Sequence, residues 1–527
     1  MTTRRDFIGT SALGLVGALG VGSLGTSGLT TRATTARAGT RVREFTLRAR
    51  AAEWNIGTAR AVRALTYDGN VPGPMLRVKE GDLVRVALIN ELDEPTTIHW
   101  HGIPLPFAMD GVPELTQPAV APGGRFVYEF VANVPGTYWY HSHFGYQFEL
   151  GLFGALVVEP RAEPLAYDRE YTLVLDDWMS DPSKPSPAAD AYNFRVAGTR
   201  MGEPMDTVAM AQMHARMTAP GMADSAMAAM RASMERTVAK MRAIDSAAKA
   251  MPAHRSHGVP MPEPVFDAFT INGHRGDALE ALTVRRGDRV RLRLVNAGTA
   301  TVFPIYVAGH RMTVTHLDGQ PIAPADTDVV VVGMGERVDV LVHATNPGTW
   351  RVGSADATQR SKGLGLALRY TGVQGSTPAD GDIPRVRPEP YREFTGAVAA
   401  PSSTGVRREH ALSFKMASRS VWTINDKFYP HTDPIEVRRG ERVRVTVRND
   451  SAYAHPVHLH GHFFDVVRPY AAAADTARPI RKDTLTLYHM DEHVIEFTAD
   501  NPGAAWFLHC HNQYHHVGGM ATIVRYV

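Results

Sequence analysis

The chain has 527 residues, of which 44% are hydrophobic, and its 56 basic residues nearly balance its 54 acidic ones. A chain of this length and apolar content can bury several cores and is not a disordered polymer, and a formal charge of +2 gives no footing for a polyanionic partner such as nucleic acid. It carries one cysteine, so an internal disulfide is excluded.

The N-terminus reads TTRRDFIG, then the apolar run SALGLVGALGVGSLG, then the small-residue site Ala36-Arg37-Ala38. Basic, apolar and small segments in that order make an export signal, and the run is too short and glycine-rich for stable membrane insertion. Thr3-Arg4-Arg5-Asp6-Phe7-Ile8 resembles the twin-arginine signal, which exports proteins already folded. Residues 1–38 are therefore expected to be removed, with the mature chain acting in a periplasm, outside the cell or at its surface. Their loss takes four arginines and one aspartate from 56 and 54, leaving 52 basic and 53 acidic residues and a nearly neutral protein.

LRVKEGDLVRVALIN (76–90) returns as LTVRRGDRVRLRLVN (282–296) and as IEVRRGERVRVTVRN (435–449), an internal repeat. Each copy alternates apolar and polar residues around a Gly followed by Asp or Glu, the pattern of strand, turn, strand. A second echo follows each: VPGTYWYHSH (134–143), NPGTWRVGS (346–354) and NPGAAWFLHCH (501–511). Repeats of this length with Gly- and Pro-rich turns predict three antiparallel Greek-key β-sandwich domains. Proline-rich segments near 165 and 395 divide them into 39–165, 166–395 and 396–527. The first and last copies carry histidines where the middle copy has RVGS, so the middle domain reads as a spacer.

Four His-X-His pairs stand out: His99 and His101, His141 and His143, His458 and His460, His509 and His511. Residues two apart on a strand face the same side, so each pair can aim two imidazoles at one point. Two pairs belong to the first domain and two to the last, and convergence requires those domains to pack together. Cys510, between His509 and His511, then points the opposite way, toward a separate metal. His455, His515 and Met520 complete two imidazoles, a thiolate and a thioether, a blue-copper set suited to single electrons. A structural zinc site needs four ligands, far fewer than are present, and the CxxCH of a c-type haem is absent.

HWHG, HSH, HPVHLHGH and HCHNQYHHVGGM together resemble the multicopper oxidases of the three-domain, laccase-like group, across nearly the whole mature chain. The resemblance implies cupredoxin-like domains and four copper ions. By it, His99 and His458 match type 2 ligands, and His101, His141, His143, His460, His509 and His511 match ligands of the type 3 pair. His455, Cys510, His515 and Met520 match type 1 ligands, while His462 matches none and reads as structural. The implied reaction couples four one-electron oxidations of a substrate to reduction of O2 to water. Asp110, in MDGVPELTQ, matches an acid beside the cluster and is expected to deliver protons, although it also starts an Asp-Gly turn. Where some relatives have a glutamate after the last type 1 histidine, this chain has His516.

Residues 201–261 hold 12 of the 21 methionines, and Met227, Met230, Met234, Val238 and Met241 recur at helical spacing. Such a stripe packs a helix, or offers soft thioethers to Cu(I). Some bacterial copper-detoxifying oxidases carry such inserts, which favours oxidation of cuprous ion in copper homeostasis. Some of those enzymes have Asp and Met four and two residues before the first type 1 histidine, where Ser451 and Tyr453 stand here. The alternative is a laccase oxidising phenols and aromatic amines at a shallow pocket by the edge of His515. A copper-sequestering or copper-free structural relative is a further alternative, and a monomer is expected.

Overall fold

The computed structural model describes residues 41–58, 61–179, 263–373, 377–386, 390–391, 393–398, 406–418, 420–467 and 478–527. The export signal at 1–38 and the methionine-rich stretch at 201–261 lie outside the described residues.

Each repeat crosses between two sheets and does not close a hairpin. Gly73–Lys79 pairs with Phe153–Glu159, whereas Leu83–Asn90 pairs with Val42–Trp54 and Arg125–Val131 in another sheet. The same division separates Leu282–Val284 from Arg289–Asn296, and Ile435–Val437 from Arg442–Asn449. The Gly-acid signature makes the crossing. Gly81, Gly287 and Gly440 have φ of 89°, 94° and 82°, a region that a side chain disfavours. The following carboxylate then accepts from a backbone N–H three residues earlier: Asp82 from Lys79 at 2.9 Å, Asp288 from Arg285 at 2.8 Å and Glu441 from Arg438 at 2.8 Å.

Among the described residues the strands form six sheets, two for each repeat. The sheets are mixed where alternation alone predicted antiparallel ones. Val42–Ala49 runs parallel to Leu83–Asn90, Arg169–Leu175 to Val290–Asn296, and Val406–Phe414 to Arg442–Asn449. A connection that changes sheets is free of the hairpin constraint that forces neighbours to run oppositely.

All three repeats end in a buried asparagine doing one job. Asn90 donates to the carbonyls of Glu94 and Val120, Asn296 to those of Thr301 and Val332, and Asn449 to those of Tyr453 and Leu487. Each amide oxygen accepts from the backbone two residues on, at Leu92, Gly298 and Ser451. The loops entering the next strands, including those before His99 and His455, are thereby pinned.

The described residues belong to one compact unit, Thr40–Val527. One apolar core runs through the middle and last sandwiches, and a second fills the first. A third, with Trp139, Phe153, Val174 and Trp178, joins strands of the first and middle sandwiches. No helix among the described residues is long and apolar enough to cross a membrane.

Candidate metal centre

Two strand pairs present the histidines. In the first sandwich His99–His101 lies antiparallel to Gly136–His141, with His99 opposite His141. In the last, His455–Leu459 lies antiparallel to Ala505–Cys510, with His458 opposite His509 and Val457 opposite Cys510. Since sides alternate, His458 and His509 share one face while Val457 and Cys510 share the other. His455, two residues before Val457, falls on the Cys510 side. One odd-even pattern thus sorts HPVHLH between two centres.

The paired histidines of the first and last sandwiches converge. His99 Nε2 lies 3.4 Å from His458 Nε2, and His460 Nε2 lies 3.1 Å from His509 Nε2. His99, His458 and His460 bring ligand atoms within 4.8 Å of one another, as do His99, His101 and His141, and His143, His460 and His509. The outer nitrogens are held by backbone: Nδ1 of His99, His141, His458 and His509 donate to the carbonyls of Asp110, Ser142, Asp483 and Cys510 at 2.8–2.9 Å. That leaves their Nε2 lone pairs facing inward.

Several inward atoms have no protein partner: His101 Nδ1, His141 Nε2, and both nitrogens of His143 and of His511. Buried polar atoms are rarely left so. Burial, reinforced by neighbouring imidazoles, holds His101, His141, His143, His458, His460 and His511 well below the usual histidine range. They are neutral and their lone pairs are available, which is what metal ligation needs.

The second centre lies on the other face. Cys510 Sγ is 3.6 Å from His455 Nδ1 and 3.6 Å from His515 Nδ1, and those two nitrogens are 3.0 Å apart. Bonds of about 2.0 Å to nitrogen and about 2.3 Å to sulfur place donors around one ion about 3–4 Å apart, so the triangle fits a metal. His515 rides on the short helix Gln513–Val517, whose first turn is capped by the Asn512 side chain. Met520 is buried and tied back, its carbonyl accepting from Cys510 N and its N–H donating to His515. Ser451 Oγ lies 2.6 Å from His455 Nε2, and the Trp422 ring centroid lies 3.6 Å from that of His515. His515 is fully buried.

Asp110 lies between the two sandwiches, with Oδ2 2.9 Å from His460 Nδ1 and Oδ1 3.3 Å from His99 Nδ1. Burial pushes its carboxyl above the ordinary range, and His99 pulls it partly back. Asp110 ends a 3-10 turn and does not start an Asp-Gly turn, and a Cβ on Gly111 (φ 82°) would collide with the Ile98 carbonyl. His516 takes a place at the cluster, its ring centroid 5.2 Å from His143 and 4.6 Å from His509. His462 bonds to the His460 carbonyl and the Tyr526 hydroxyl, a structural role. Sequence reading missed Asp483 and Thr484. Asp483 Oδ1 lies 3.3 Å from His101 Nε2, and Thr484 Oγ1 lies 3.0 Å from the same atom and 3.1 Å from His458 Nδ1. No spacing rule links them to the histidine pairs.

Residues 48–163, 236–369 and 404–527 each match a family model described as multicopper oxidase. The chain is 34% identical over 496 residues to the multicopper oxidase MmcO of Mycobacterium tuberculosis, covering 92% of this chain and 86% of that protein. It is 28% identical to copper resistance protein A of Pseudomonas syringae pv. tomato, covering 99% of each. A crystal structure of a multi-copper oxidase from Pseudomonas Thermotolerans superposes with a TM-score of 0.64 at 26% identity, covering 93% of this chain and all of that one. Together with two buried clusters of metal-ligating side chains sorted by strand alternation, these likenesses place the chain in the multicopper oxidase family, as a copper-dependent oxidase that spends electrons from a reducing substrate on O2.

Proposed function

We propose that the chain holds four coppers: type 1 at His455, Cys510, His515 and Met520, type 2 at His99 and His458, and a type 3 pair at His101, His141, His143, His460, His509 and His511. The observation that carries this reading is the sidedness of one strand, Ala505–Cys510, with the Cys510 thiol on one face and His509 on the other. Copper bound there supplies one-electron acceptance at the first centre and four-electron reduction of O2 at the second. The protein keeps the donor's centre and the oxygen's centre apart by a single residue of backbone. Asp110, in contact with His460 and His99, holds the protons that the forming waters take up.

The donor we assign is cuprous ion. The 12 methionines of 201–261 are soft ligands, and the chain resembles along its whole length a protein named for copper resistance. The complete burial of His515 speaks against a phenol resting on that ring's edge. We further assign residues 1–38 to a twin-arginine signal and export, and the domains to 39–165, 166–395 and 396–527, working as a monomer.

The test uses copper-loaded wild type, Cys510→Ser and a chain lacking 201–261. Metal analysis should find four coppers per wild-type chain, and Cys510→Ser should lose both the intense visible band and O2 consumption. Retention of both by the serine variant overturns the four-copper reading. The deletion should lose Cu(I) turnover and keep turnover of a simple phenol; equal retention of both returns the methionines to packing and makes the enzyme a laccase.

A further inference from the structure

The middle sandwich brings no paired histidine, yet one of its side chains reaches the wall of the cluster. Arg337, on the strand Arg337–His343, is fully buried and grips Asp483 of the last sandwich with a two-pronged fork, Nη1 to Oδ1 at 2.7 Å and Nη2 to Oδ2 at 2.5 Å. Its Nε donates to the Thr137 carbonyl at 3.1 Å, on the strand of the first sandwich that ends in His141. One guanidinium therefore ties together all three sandwiches. Asp318 of the middle sandwich completes the grip, lying 3.7 Å from Arg337 and accepting from the backbone N–H groups of Asp483 and Thr484.

The clamped carboxylate dictates what its neighbour can do. Thr484 Oγ1 donates its one proton to Asp483 Oδ1 at 2.8 Å, so toward His101 Nε2 at 3.0 Å and His458 Nδ1 at 3.1 Å it can only accept. His101 Nε2 must then carry the ring proton, and the lone pair appears on Nδ1, the buried atom without a partner. This is the reverse of His99 and His458, whose Nδ1 atoms donate to carbonyls and whose Nε2 atoms face inward. His101 cannot reach the cluster through the same nitrogen as its companions, and something has to enforce the exchange.

We propose that Arg337, Asp483 and Thr484 form a positioning unit that fixes the tautomer of His101, so that the middle sandwich, which lends no paired histidine to the shared cluster, sets its geometry. The proposal rests on the four-copper reading above. It assigns no proton transfer to Asp483; the carboxylate orients the threonine hydroxyl and, with Oδ1 3.3 Å from His101 Nε2, is a second acceptor for the same ring proton.

The test compares full-length, copper-loaded wild type with Thr484→Val, Thr484→Ser and Arg337→Lys, by chelator competition and by electron paramagnetic resonance of the type 1 and type 2 signals. Thr484→Val keeps the side chain's size and removes the nearer of the two acceptors that face His101 Nε2. It should weaken retention of cluster copper by about 10–100-fold, the range for outer partners of metal-bound histidines, and shift the type 2 signal without moving type 1. Thr484→Ser, which keeps the hydroxyl, should restore both. Arg337→Lys keeps the charge and loses the fork, and should shift the type 2 signal in the same direction. A wild-type type 2 signal left unmoved by Thr484→Val overturns this proposal alone, and one unmoved by Arg337→Lys overturns the role given to the middle sandwich. A wild type with no type 2 signal overturns the four-copper reading beneath it.

Discussion

The Asp110 carboxylate meets His460 of the last sandwich while its carbonyl holds His99 of the first, so the residue we propose as the acid also pins the two sandwiches together. Its neighbour Gly111 cannot be exchanged without striking the Ile98 backbone, which fixes where the carboxylate points. Asp110→Asn preserves that shape and removes the capacity to carry a proton. Turnover under saturating O2 should fall by about 100-fold or more, the usual contribution of a positioned acid, with copper content and the visible band unchanged. An asparagine variant turning over at the wild-type rate would return Asp110 to turn formation alone.

At the scale of elements, the asparagine that ends each repeat links the strand to the loop that follows it. Asn449 holds Tyr453 and Ser451, and Ser451 touches the outer nitrogen of His455, so in the last sandwich this anchor also supports a residue we assign to the type 1 copper. Asn296 makes the same kinds of bond in the middle sandwich, next to the strand Phe303–Val307, which carries no ligand histidine. Asn449→Ala and Asn296→Ala should each lose about 2–4 kcal/mol of stability, from about three hydrogen bonds and the carbonyls left behind. Only Asn449→Ala should also shift the visible band of the Cys510 site. Equal spectra would mean that the loop before His455 holds its shape without the asparagine.

For the whole molecule, acidity gathers where the three sandwiches meet. Glu149 of the first is buried and its carboxyl is pushed up to about 8, mainly by burial and then by Asp177 of the middle one, while Thr299 and Tyr514 pull it back. Glu263 adds to the rise, and burial pushes Asp176 and Asp177 up as well. A carboxyl whose folded value lies above its ordinary 4.5 binds more protons folded than unfolded. Its contribution is complete below that ordinary value and is lost as pH rises through about 8. Above pH ~7, where the buried histidines of the metal centre are neutral folded and unfolded alike, the melting temperature of the copper-loaded enzyme should therefore fall toward pH ~9, and Glu149→Gln should lessen that slope, melting higher than wild type at the alkaline end. Parallel profiles for the two proteins would show that Glu149 ionises without cost.

Period-two alternation is a local property, and it was enough to read the strands and the sidedness of Cys510 against His509, while recurring motifs revealed the threefold repeat. The crossing of each repeat between sheets was not legible, because a Gly-acid turn looks alike whether the chain turns back or passes over. Nor were Asp483, Thr484 and Arg337: Arg337 lies 146 residues from Asp483 in the chain, and their fork exists only because three sandwiches bury it together. Local sequence decides which face a side chain takes, since that depends on its neighbours along one strand. Which atom of His101 is left to bind depends on partners from distant strands, and only packing could decide it.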